Sequence, residues 1–294
     1  MIRRLLSDPS FEDSLKKHLS AVARPRDPDE NFSTLCEIER YIESELLSYG
    51  YQVKRDPIPY RGQRFNNLIA QKKFLDSRQP RFVVAAHFDA VTGTEGADDN
   101  ASGVACLLEA ARTLADSPAA SIVDWIAFNL EEEGMVGSSH YVRRLKQTET
   151  KLLGMISLEM VGFTSEEPGS QRLPIFLKPF YPDKGNFLAL VGNPASQKLL
   201  RQAHRAFAAA DGLPVECLTL PFNGRLLPET RLSDHSPFWD AGYPALLVTD
   251  TSFFRNPYYH TSGDRIETLD LNFLKRVCEG TIRLVEDIGK NRGD

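Results

Sequence analysis

Apolar residues recur along the chain with two periods, and the alternation between them outlines a fold. In 33–48, Ile38, Ile42 and Leu46 fall at i, i+4 and i+8, one face of a helix, and 10–21 carries a similar pattern. Gly50 is placed to end the second helix. Segments 51–58 and 65–71 read as strands separated by a Pro/Gly turn from Pro57 to Gly62. Residues 82–86 are almost wholly apolar, as in a strand covered on both faces. Helix 102–115, strand 122–130, helix 137–147 and strand 153–159 follow at the spacing of βαβ units. Right-handed crossovers then carry the ends of strands 82–86, 122–130 and 153–159 to one edge of a sheet.

Beyond Glu159 the pattern is looser. Residues 163–187, rich in Pro and Gly, read as an irregular loop or hairpin able to wall a site. Helix 195–210, strand 215–220, loop 221–233, short helix 234–240, strand 244–249 and an aromatic-rich loop 251–264 follow. A last helix, 270–289, puts Phe273, Leu274, Val277, Leu284, Val285 and Ile288 on one face. With no internal repeat or low-complexity linker, 1–294 reads as a single α/β domain.

Composition narrows the function classes. The 294 residues are 41% hydrophobic and 26% charged, as in soluble globular proteins. A net charge of −5 argues against a nucleic-acid partner. No stretch approaches the roughly 20 apolar residues of a membrane span, and charges interrupt the N-terminal segment before a leader-like run develops. Cys36, Cys106, Cys217 and Cys278 form no Cys-x-x-Cys pair and read as reduced, structural thiols. A cytoplasmic protein is the simplest expectation.

The strand ends carry the chemistry. Strand 82–86 runs into His87 and Asp89, strand 122–130 into Glu131, Glu132 and Glu133, and GADDNASG presents Asp98, Asp99 and Asn100 ahead of a helix. In open α/β sheets the crevice at the carboxyl ends of strands is where ligands bind. Histidines and carboxylates without cysteine suit a hydrolytic zinc site or a harder ion such as manganese. Two ions a few ångströms apart need a bridging carboxylate, for which Asp99 is the candidate. His87 and Glu159 complete one site, Glu132 and His260 the other. Three carboxylates and a bridging hydroxide balance two dications, which leaves Glu131 as general base. Asp89 can orient the His87 ring.

These motifs, HFD, DDNASG, EEEGMVGS, LEMVG and YHT, resemble the co-catalytic zinc aminopeptidases, the metallopeptidases of family 28, clan MH. The resemblance implies a three-layer fold with a mixed, mostly parallel twisted sheet of about eight strands and helices on both faces. It also implies two zinc ions held by His87, Asp99, Glu132, Glu159 and His260, with Glu131 as base acting on a peptide or amino-acid derivative. A cis peptide after Asp99 is a further expectation. One residue departs from the pattern: Glu159 stands where the family usually has Asp, which puts full occupancy of one ion site in question.

Several residues have two readings. Asp98 and Asn100 suit helix caps as well as a direct role, and His235, within the SDHSPFWD segment that also resembles a family segment near the site, suits packing as well as the site. His18, His140 and His204 read as surface or structural. Phe222, Phe253, Phe254, Tyr258 and Tyr259 can line a side-chain pocket, and Arg225, Arg231 and Arg255 can meet a substrate carboxylate or solvent. Metal-dependent exopeptidase, most simply an aminopeptidase, is the leading expectation. The alternatives are a dipeptidase or carboxypeptidase variant, a single-zinc glutaminyl cyclase-like transferase, and a non-catalytic binding domain on a peptidase scaffold.

Overall fold

The computed structural model describes residues 9–72 and 80–290. Helices α1 (Pro9–Val22) and α2 (Phe32–Ser48) lead into β1 (Gln52–Tyr60), β2 (Gln63–Gln71) and β3 (Arg81–His87). There follow α3 (Gly103–Thr113), β4 (Val123–Phe128), α4 (Val136–Gln147), β5 (Leu152–Glu159) and β6 (Leu188–Gly192). The chain continues with α5 (Gln197–Ala208), β7 (Val215–Thr219), α6 (His235–Asp240), β8 (Ala245–Thr249) and α7 (Leu271–Lys290). The eight strands form one mixed sheet in the order β1-β2-β4-β3-β5-β8-β6-β7.

Strands β4, β3, β5 and β8 are parallel neighbours. Their side chains are buried on both faces, which is why the sequence shows apolar runs there rather than alternation. One face packs under α1, α2, α3, α5 and α7, the other under α4 and α6. The expected carboxyl edge therefore forms: β3 ends on His87, β5 on Glu159, and the chain leaving β4 reaches Glu131 and Glu132.

Two local expectations need correction. The turn placed at Pro57–Gly62 is only Arg61–Gly62, because Tyr60 pairs with Gln63. Both turn residues have positive φ (44° and 79°), as a two-residue hairpin requires. Pro57 and Pro59 lie inside β1, which is tolerated because β1 is an edge strand. The other correction is β6, which no sequence signal had marked. It runs antiparallel to β8 and parallel to β7, and so carries the sheet to its far edge.

Candidate metal centre

The loop between β3 and α3 brings Asp99 to the sheet edge, and buried polar groups hold it there. The Arg26 guanidinium donates to the carbonyls of Phe88 at 2.7 Å, Gly96 at 2.9 Å and Asp99 at 3.4 Å. The Asp264 carboxylate accepts from the backbone N–H of Asp98 at 2.8 Å and of Asp99 at 3.0 Å. Gly96 has φ +55°, and a Cβ there would sit 2.2 Å from the Asp99 carbonyl oxygen. The Asn100 amide donates to the Leu158 carbonyl at 2.8 Å and accepts from Met160 N–H at 3.1 Å, which ties the turn to the end of β5. The Asp99–Asn100 peptide is cis, as expected.

The six metal-centre and base candidates converge. His87 Nε2 lies 3.3 Å from Asp99 Oδ1 and 3.4 Å from Glu159 Oε1. His260 Nε2 lies 3.2 Å from Asp99 Oδ2 and 3.3 Å from Glu132 Oε2. Asp99 thus belongs to two trios, with one oxygen toward each histidine, as a bridging carboxylate would. Glu131 Oε2 is 4.0 Å from His87 Nε2. Asp89 lies 3.5 Å from His87 Nδ1 and accepts from the N–H groups of Glu131 at 3.2 Å and Glu132 at 3.1 Å. It therefore fixes the backbone of the loop that carries Glu131 and Glu132.

The three consecutive glutamates serve different ends because the chain turns sharply after β4, with φ +60° at Leu130. Glu131 and Glu132 enter the cluster. Glu133 leaves it, accepting from Tyr60 at 2.5 Å and pairing with Arg61 at 3.0 Å.

The electrostatics call for cations. Burial pushes Glu131 well above the ordinary glutamate range, with Glu159, Glu132 and Asp234 adding to the push against the pull of His87. Burial, aided by Asp99, raises Glu132 to about 7, and burial raises Glu159. Burial works against the charged His260, yet Asp99 and Glu132 bring it up to about 10. No Lys or Arg pairs with these carboxylates among the described residues; their partners are histidines. Glu132 Oε1 is buried without a hydrogen-bond partner. Buried carboxylates lacking a counter-charge are costly, and an N/O donor set of this kind fits two divalent ions such as zinc.

The two-way residues divide. Asp98 accepts from Gly162 N–H at 2.9 Å and Asn256 at 2.7 Å, so it braces the loops around the centre. Asn100 accepts from Gly103 N–H at the start of α3, a cap-like contact. His235 is buried 2.9 Å from the Thr230 carbonyl and packs edge-on to Trp239; burial lowers it to about 3, a neutral packing histidine. His18 is likewise buried, its Nδ1 2.8 Å from the Tyr41 hydroxyl.

Four residues that contact the centre were given no role there by the sequence: Arg26, Asp264, Ser233 and Asp234. Ser233 donates to Glu159 Oε2 at 2.8 Å. Asp234 is buried within the field of His87 and Glu159. Both belong to the SDHSPFWD segment, which the motif resemblance placed near the site without assigning roles.

A pocket of about 950 Å³, including its open mouth, leads away from Asp99, Glu131, Glu132 and Glu159. Segment 163–187 does wall it, through Leu173, Leu177 and Tyr181 among others. Phe253, Phe254 and Tyr259 line it; Phe222 and Tyr258 do not. The three arginines stand elsewhere. Arg225 and Arg231 pair with Asp240, and buried Arg255 donates to Gln171 and the Phe187 carbonyl.

The model of Peptidase family M28 matches residues 67–285. The uncharacterized protein YfbL of Escherichia coli is 32% identical over 95% of this chain and 88% of its own length. Aminopeptidase YwaD of Bacillus subtilis is 31% identical over 74% of this chain and 43% of its own. Apart from YfbL, the chain spans about half the length of the curated relatives it matches. The solved LapA aminopeptidase of Legionella pneumophila shares the fold, with a TM-score of 0.74 at 19% identity over 95% of this chain and 72% of that one. On these grounds the chain belongs to peptidase family M28, the metallopeptidases that its motifs resemble.

Proposed function

We propose that this chain is a zinc aminopeptidase that cleaves the N-terminal peptide bond of its substrate. The observation that carries the reading is the division of Asp99 between two ligand trios, with Glu131 beside them and a side-chain pocket opening from the same point. His87, Asp99 and Glu159 would hold one ion and Asp99, Glu132 and His260 the other. Bound there, the ions supply polarisation of the scissile carbonyl and acidification of a water. Glu131 takes the water proton and delivers it to the leaving amine, a task suited to a carboxylate with a raised pKa. Asp89 holds both His87 and the Glu131–Glu132 backbone in position. The name and 31% identity of YwaD support the same activity.

Among the described residues no Lys or Arg lines the pocket, so a substrate's free carboxylate finds no counter-charge there, which disfavours dipeptidase and carboxypeptidase variants. A single-zinc cyclase would leave unused one of the two trios that share Asp99, and a binding module has no need of Glu131. A cytoplasmic setting completes the reading, supported by four free thiols, Cys36, Cys106, Cys217 and Cys278; among the described residues no helix is long and apolar enough to cross a membrane.

The test is hydrolysis of amino-acid anilides, lost with a chelator and restored by zinc. Glu131→Gln is expected to lower kcat by roughly 10²–10⁴-fold with zinc content unchanged. Near-wild-type turnover in that variant would sink the assignment of the base.

A further inference from the structure

The pocket has a direction that sheet register defines. Glu159 pairs with Thr249, Thr249 with Ala189, and Ala189 with Glu216. Paired residues project to the same face, so these four side chains form one row across β5, β8, β6 and β7. At about 4.8 Å per strand, the row runs roughly 14 Å from the metal centre to the edge strand. All four residues line the pocket. The neighbouring row, Leu247, Val191 and Leu218, makes its floor apolar. Leu177 and Leu227 also belong to its walls.

Charge is distributed unevenly along this row. Near the centre, two dications would match the carboxylates that hold them. Glu216 and Glu229 remain, and neither forms an ion pair with Lys or Arg among the described residues. Glu216 is half-buried on β7; burial raises its pKa, with His204 partly offsetting the rise. A neutral apolar side chain that filled the row to its end would strip water from Glu216 and offer nothing in return. A cation on an aliphatic stem would cover the apolar floor and bring its charge to the carboxylate.

We propose that the pocket selects N-terminal arginine or lysine, with Glu216 as the specificity-determining residue that receives the cationic head. The inference rests on the aminopeptidase reading and adds to it the class of substrate. An acidic side chain in the pocket is excluded by the same carboxylates, and small side chains leave its far half unfilled. Glu216 takes no part in bond breaking; its contribution is to binding along the row.

The experiment measures kcat/KM of the zinc-loaded enzyme on the anilides of arginine, lysine, leucine, methionine and glutamate. Arginine or lysine is expected to lead leucine and methionine. Glu216→Gln should lower the Arg/Leu ratio at least ten-fold, and Glu216→Lys should lower it further while improving the Glu/Arg ratio. Because ratios cancel the amount of active enzyme, partial misfolding does not mimic this result. A wild-type preference for leucine or methionine, or an Arg/Leu ratio that ignores both substitutions, overturns the inference and leaves the aminopeptidase reading standing. If no anilide is cleaved, the aminopeptidase reading falls and the specificity falls with it.

Discussion

Glu159 has one methylene more than the aspartate usual at its position, and Ser233 accounts for how the centre accommodates it. The Ser233 hydroxyl holds Oε2 at 2.8 Å, while Oε1 stays 3.4 Å from His87 Nε2. Oε2 is thereby restrained, and under the proposed function Oε1 is the oxygen that would face an ion. Ser233→Ala should release the carboxylate and weaken one of two zinc sites by roughly 10–100-fold, the usual cost of losing a ligand's hydrogen-bond partner. Competition titration with a chelator reads this as one ion lost early and one retained; two unchanged affinities would count against it. Of the ligand candidates, His87, Glu132 and Glu159 were legible because each sits at or just beyond the end of an apolar strand, and Asp99 because it stands in an acidic turn ahead of a helix; His260 lies in a loop well beyond β8. Ser233, Asp234, Arg26 and Asp264 were not legible, since each meets its partner at the site 62 or more residues away along the chain, in contacts that only the fold creates. A lone serine, aspartate or arginine carries no periodicity or spacing that points to such a partner.

At the scale of elements, the loop between β3 and α3 does the most to assemble the centre, and its shape depends on Gly96. With φ +55° and space for no Cβ against the Asp99 carbonyl, Gly96 lets the turn close over the Arg26 guanidinium. Gly96→Ala should displace Asp99, the residue common to both trios, and so lower zinc content at both sites together. Metal analysis separates this from the single-site loss expected of Ser233→Ala, and two ions retained in Gly96→Ala would refute the role given to the turn. The elements themselves were read from the sequence where periodicity was long, as in α2 and α7, or where an apolar run was bounded by chemistry, as in β3. Strand β6 escaped because Leu188–Gly192 is only five residues long, follows an irregular Pro- and Gly-rich segment, and has its partners far along the chain. The hairpin turn was misplaced because Pro57 and Pro59 are turn residues by composition, and only their position on an edge strand permits them in β1.

For the whole molecule, the buried charges set opposing responses to pH. Glu131, Glu132 and Glu159 have folded pKa values raised above their unfolded ones, chiefly by burial. The metal-free native state therefore binds more protons than the unfolded chain above pH 4.5, and stability falls as pH rises toward about 7, the value reached by Glu132. His18 and His235 act with the other sign: burial lowers them to about 4 and about 3 from an ordinary 6.5. Their contribution is present above pH 6.5 and is lost on acidification, as the unfolded chain takes up protons that the buried rings refuse. Zinc changes only the first of these, since it neutralises the carboxylates in place of protons and competes with them for the site. Free zinc at 1,000 times its Kd adds about 4 kcal/mol, a rise in Tm of roughly 5–8 °C for a chain of this length. The zinc-induced rise should accordingly be larger at pH 7.5 than at pH 5.5 when measured on chelator-treated protein. His18→Gln should soften the acid-side loss and leave the zinc increment unaltered. An equal zinc increment at both pH values would mean that the carboxylates around Asp99 are not the groups the metal neutralises.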